Sequence, residues 1–185
     1  AGPVANEEVV RYSLVLFEYD ESGLASGIEM LEALQARLPD LLLTLVPSES
    51  DGEKVYTLLA GPALDRVEAE ELRGVVGEVL TREDPASWSV RETPRAFYLG
   101  ERGSLRDAED YLESVTGGEL YAYILHVTFP NPEGDTDPQG QGTESYQVLT
   151  GAFSGVRDAR TLQLILIERG FRDAPLIERR GRLPE

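Results

Sequence analysis

Side chains able to do covalent or acid-base chemistry are few and scattered. The sequence holds one histidine, His126, one lysine, Lys54, and no cysteine. That inventory removes disulfides, thiolate metal sites and cysteine nucleophiles together. His126 falls mid-strand between Leu125 and Val127, on a face shared with Ala122 and Ile124, the setting of a core histidine rather than of a general base. Gly151-Ala152-Phe153-Ser154-Gly155 puts its serine third after the first glycine, one position late for a nucleophile elbow. Gly140-Gln141-Gly142 lacks the strand and helix that frame a dinucleotide loop.

Carboxylates are abundant instead. With 34 acidic residues in the chain, pairs at glycosidase-like spacing arise by chance and carry no information. Glu133, Asp135 and Asp137 look like a fragment of a calcium loop, but the terminal bidentate glutamate is missing. Trp88, Tyr121 and Tyr123 have the shape of sugar platforms, although aromatics at strand spacing more often build core. The expectation is a chain that is not an enzyme, with no catalytic residues, no cofactor and no intrinsic metal.

The formal net charge is −17, so phosphate backbones and anionic lipid surfaces are repelled and nucleic acid is excluded as a partner. The longest apolar run, Leu41 to Val46, is far short of the roughly 20 residues of a membrane span. The chain begins Ala1-Gly2-Pro3-Val4 without an initiator methionine, as expected after removal of a signal or lipoprotein leader, although trimming would look the same. An exported protein, periplasmic or otherwise extracytoplasmic and anchored, if at all, through such a leader, is the expectation.

The elements that must position any site read in order. After an N-terminal arm over residues 1–10, Arg11 to Phe17 is a strand, and Leu24, Ile28, Leu31, Leu34 and Leu38 recur at helical spacing until Pro39. Two apolar strands, Leu41 to Pro47 and Lys54 to Gly61, flank a polar turn with Asp51-Gly52 at its tip. A stripe of Ala69, Leu72, Val76, Val79 and Leu80 follows, then a short strand around Trp88 to Val90.

From Pro94 the order starts again. A strand over Ala96 to Leu99 precedes a helix that Ser104 caps and Gly117-Gly118 ends. Strands at Leu120 to Phe129 and Ser145 to Ala152 flank the Pro-, Gly- and Asp-rich loop Asn131 to Gly142; a last helix stops at Gly170 before the strand Leu176 to Arg179. One shift that carries Tyr56 onto Tyr146 also carries Gly61 onto Gly151, Ala69 onto Ala159 and Leu72 onto Leu162 without a gap. The fold class is therefore α+β: two ferredoxin-like or RNP-like β-α-β-β-α-β units, over 11–92 and 95–182. Each is a four-stranded antiparallel sheet with two helices on one face and no cover of its own on the other.

Tyr146-Gln147-Val148-Leu149-Thr150-Gly151-Ala152-Phe153, followed by Asp158-Ala159 and Leu162, resembles the strand-turn-helix signature of SPOR (sporulation-related repeat) domains. Val55 to Pro62 with Glu68-Ala69 and Leu72 is a weaker counterpart. The resemblance implies a cell-envelope module that binds peptidoglycan glycan strands stripped of their stem peptides, through the open face of the sheet. Strand alternation assigns to that face Ser13, Val15, Phe17, Thr57 and Leu59 in the first unit, and Gln147 and Leu149 in the second.

The residues themselves pull the other way. The first of these faces is aliphatic where a sugar groove needs polar groups, which points to Val15, Phe17 and Leu59 packing against the other unit or another protein, and an acidic protein repels the lactyl carboxylates of stripped glycan. Two readings stay open: a glycan-binding module, or a structural accessory subunit whose sheet faces dock on a protein of a membrane-associated complex. Arg169, Arg172, Arg179, Arg180 and Arg182 form the only arginine-dense stretch, expected as a solvated edge with Glu168, Asp173 and Glu178 as partners.

Overall fold

The computed structural model describes residues 4–130 and 142–185. In the first unit β1 (Tyr12–Asp20), α1 (Leu24–Arg37), β2 (Leu43–Ser50), β3 (Glu53–Ala63), α2 (Arg66–Val79) and β4 (Ser89–Glu92) form a sheet of order β2-β3-β1-β4. In the second β5 (Arg95–Arg102), α3 (Leu105–Val115), β6 (Ala122–Phe129), β7 (Thr143–Phe153), α4 (Val156–Glu168) and β8 (Leu176–Glu178) form one of order β6-β7-β5-β8. All pairings are antiparallel, and the chain is two ferredoxin-like units.

Local chemistry sets the boundaries. Asp51 and Gly52 both take positive φ, 52° and 82°, the two-residue turn whose twist matches a hairpin. Asp65 accepts from the Glu68 amide at 2.9 Å to start α2, and Ser104 accepts from the Asp107 amide at 3.2 Å to start α3. The expected loop from Asn131 lies, apart from Gly142, outside the described residues, and so do Glu133, Asp135 and Asp137.

The repeat holds residue by residue in the pairing. Tyr19 opposite Tyr56 corresponds to Arg102 opposite Tyr146, Glu18 opposite Thr57 to Glu101 opposite Gln147, and Val15 opposite Leu59 to Tyr98 opposite Leu149. Both first strands carry the same irregularity, between Val15 and Phe17 and between Tyr98 and Gly100. This bulge corrects one expectation. The extra residue, Leu16, reverses the alternation, so Phe17 leaves the open face and packs with Leu14, Leu16 and Leu58 beneath the helices.

Neither sheet face is left bare, and in each case the cover comes from outside the unit's own sheet and helices. Val15, Val46 and Leu59 on the open face of the first sheet join one core with Phe153, Ala159 and Leu162 of the second unit. Helix α4 lies across that face. The open face of the second sheet, with Ala96, Tyr123, Leu125 and Leu149, is covered by Val10 from the N-terminal arm and Leu183 from the C-terminal tail. The arm and tail also close the sheet edges: Asn6 donates to Thr128 O at 2.7 Å, Val10 to Arg179 O at 2.8 Å, and His126 and Arg182 exchange backbone hydrogen bonds on β6.

The arginine stretch is not a uniformly solvated edge. Arg179 is 1% exposed at the seam between the units. Its Nε donates to Thr93 O at 2.8 Å and its Nη2 to Thr93 Oγ1 at 2.8 Å, with Ser13 Oγ at 3.3 Å. Arg180 pairs with Glu178 at 3.0 Å, while Arg169 donates to Gly117 O at 2.7 Å. A second tie crosses the seam where Glu119 Oε1 accepts from Tyr56 Oη and from Lys54 Nζ, the latter at 3.0 Å.

Candidate binding groove on the second sheet

Alternation along β5 and β7, reset by the bulge at Leu99, brings Tyr98, Glu101, Ser145 and Gln147 to the open face of the second sheet. They floor a groove of about 1160 Å³ at the end of the sheet left free by the arm and tail. Its walls are largely apolar: Val4 and Ala5 from the arm, Phe129 and Pro130 at the end of β6, Pro175 and Ile177 around β8. Glu178 and Arg180 stand at the rim, paired with each other, and Arg180 also donates to Glu7 O at 2.9 Å.

The polar floor is organised around one carboxylate. Ser145 Oγ donates to Glu101 Oε2 at 2.6 Å. The phenol of Tyr98 is pushed up to about 12 by burial, and further by the charge of Glu101 and a hydrogen bond to it. The neighbouring cation, Arg102, is directed elsewhere: its guanidinium lies over the Tyr111 ring, 4.2 Å from the centroid. Among the described residues Glu101 thus has hydroxyl donors and no ion-pair partner.

The equivalent place in the first unit is a cleft of about 690 Å³, lined by Glu18, Val55, Thr57 and Leu59 from the sheet and by Arg157, Arg160, Thr161 and Leu164 from α4. There the carboxylate is neutralised, since Arg91 on β4 reaches Glu18 at 3.5 Å. Arg91 pairs with Ser13, and its counterpart in the second unit, which pairs with Ala96, is Ile177.

Of the residues assigned to an open face from the sequence, Ser13, Val15, Thr57 and Leu59 are buried under the second unit and Phe17 has turned to the helix side. Leu149 is buried under the arm and tail. Gln147 alone reaches the groove, beside Tyr98, Glu101 and Ser145, which sequence reasoning passed over. The shift that carries Tyr56 onto Tyr146 carries Val15 onto Leu105, so it does not find Tyr98, which the strand pairing makes the counterpart of Val15. The aromatic candidates are core: Trp88 is buried in the first unit, Tyr121 packs against that same core, and Tyr123 donates to Gly151 O at 2.7 Å.

His126 is buried and stacks on Tyr146 with ring centroids 4.6 Å apart; its Nε2 lies 3.7 Å from Glu144 Oε2. No helix among the described residues is long and apolar enough to cross a membrane. They contain no cluster of three His, Asp or Glu side chains placed to hold a metal. Comparison with protein-family models, curated proteins and solved structures finds no match to this chain.

Proposed function

We propose that the chain is a non-catalytic accessory subunit that docks on a partner protein through the groove of its second unit, in an extracytoplasmic, membrane-associated assembly. The observation that carries this is the fate of the sheet faces. The surface on which a SPOR-like module would hold glycan is consumed in the first unit by α4 and roofed in the second by the arm and tail. What remains is an apolar-walled groove of a size that suits a protein segment. An unpaired Glu101 beside it disfavours a ligand that carries a carboxylate on every second sugar. The envelope setting rests on the SPOR-like residues Tyr146 to Phe153.

A second reading, a short glycan in the groove, is favoured by one feature: Tyr98 offers a ring next to the hydroxyl-matching Ser145 and Gln147. One pair of measurements separates the two. Native purification from the source cells should yield the chain in a stable protein complex that Thr143→Trp, which fills the groove from an exposed position, dissociates. Sedimentation with amidase-treated sacculi should leave the chain in the supernatant. A free chain that co-sediments with stripped sacculi, and stops doing so in the Thr143→Trp variant, would establish the glycan reading and end the subunit one.

A further inference from the structure

The two units present the same site in two states, one filled and one open. In the first, the open sheet face seats a helix, α4, whose Arg157, Arg160, Thr161 and Leu164 line the cleft over Thr57 and Leu59. In the second, the counterpart of Leu59 is Leu149, covered by the arm and tail, while Gln147, Glu101 and Tyr98, the counterparts of Thr57, Glu18 and Val15, face the groove with no helix of the described residues upon them. The carboxylate common to both, Glu18 and Glu101, has an arginine within reach in the first unit, where Arg91 lies at 3.5 Å. In the second, that strand position is Ile177. The chain thus shows within itself what such a face accepts and what the second copy lacks.

We propose that the second groove receives a helical segment of a partner protein that presents an arginine or lysine to Glu101, standing where Arg91 stands in the first unit. Charge complementarity fixes the sign, since a chain of net charge −17 with an unpaired carboxylate in the groove selects a cationic segment. It also argues against a second copy of this chain. Helix α2, the counterpart of α4, carries Glu70 and Glu71 where α4 carries Arg160 and Thr161. The apolar walls then take the flanking aliphatic residues of the incoming helix.

The inference rests on the groove being the docking site, and its test distinguishes the two. The probe is a synthetic peptide of this chain's own residues 154–169, which contain α4, titrated into the full chain while backbone signals of Tyr98, Ser145 and Gln147 are followed by NMR. A control peptide carries glutamate at the positions of Arg157 and Arg160. Expected is binding at those signals by the arginine peptide, weakened roughly tenfold or more by Glu101→Arg and by Ile177→Arg, which supplies the missing cation internally. The glutamate peptide should recover affinity on the Glu101→Arg variant. Equal affinity of both peptides, no binding, or shifts confined to Val15 and Leu59 would each overturn the proposal. If Thr143→Trp abolishes binding while Glu101→Arg does not, the cation is wrong and the groove stands; if Thr143→Trp leaves binding intact, the groove itself falls.

Discussion

Arg179 donates its Nε to the carbonyl oxygen of Thr93 at 2.8 Å, 86 residues away, fastening the end of the last strand to the linker that precedes the second unit. The same guanidinium bonds Thr93 Oγ1, which is 2.7 Å from Ser13 Oγ on β1. One buried cation therefore joins the first strand, the linker and β8. Its acceptors in the network are neutral oxygens, so its charge is spread over dipoles rather than cancelled by a carboxylate.

Arg179→Ala should lower stability by roughly 1 to 3 kcal/mol, because it strands the buried Thr93 carbonyl, while the Ser13 and Thr93 hydroxyls keep each other as partners. Urea unfolding should turn from one transition into two as the units lose their coupling. A variant that unfolds in one transition at the wild-type midpoint would mean the network is dispensable.

Val15→Asp combined with Leu59→Asp should part the units while leaving each sheet folded. Both side chains are buried against Phe153 and Leu162 at 8% and 2% exposure. Losing such burial costs roughly 1.5 to 3 kcal/mol apiece before the cost of two buried carboxylates is added. A larger radius of gyration by small-angle scattering and new proteolysis around Thr93 and Pro94 are the expected readouts. An unchanged radius would show that the α4 contact is not what holds the seam.

The Glu119 clamp makes the seam sensitive to acid. Burial alone would raise its carboxyl, but the hydrogen bonds from Tyr56 and Lys54 outweigh that and hold it below the ordinary 4.5. A depressed carboxyl stabilises the folded state fully above its unfolded value, and the stabilisation fades as pH falls through the lower folded value. Stability should thus be flat in this contribution above pH 4.5 and drop below it. In Glu119→Gln the part of the drop below pH 4.5 due to this group should vanish, as read from urea midpoints between pH 7 and pH 3. An identical slope in both proteins would remove Glu119 from the acid response.

Gly151→Ala should destabilise the second unit. Gly151 sits at φ 80°, and a Cβ there would run into Phe153 and Leu162. Positive φ and overpacking each cost on the order of 1 to 3 kcal/mol. Gly74→Ala inside α2, where an added Cβ meets nothing within 4 Å, is the control and should not lower the thermal midpoint.

The fold was legible because period and punctuation agree along the whole chain. Ser104, Asp51-Gly52 and Gly170 mark boundaries by local chemistry, and local chemistry is what a sequence displays. The faces were less legible. Phe17 follows a bulge, and no residue type at Leu16 announces one, although Gly100 at the matching place in β5 is a weak sign. The cover on each face comes from α4, the arm and the tail, all distant in sequence, so the residues place Val15, Leu59 and Leu149 on a face without cover of its own and leave open what covers it. Arg179 misled for the same reason: an arginine among arginines gives no hint that it alone is enclosed by Ser13 and Thr93.

The lateness of Arg179 in the chain has a bearing on synthesis. As the polypeptide leaves the ribosome, β1 to β4 are complete while Val15, Val46 and Leu59 still face solvent, because α4 and then β8 come after them in the chain. The nascent first unit therefore keeps an apolar sheet face exposed until α4 has been made. Its crowd of acidic side chains, Glu49, Asp51 and Glu53 at the tip of the β2–β3 hairpin among them, keeps neighbouring nascent chains apart until the second unit closes over it.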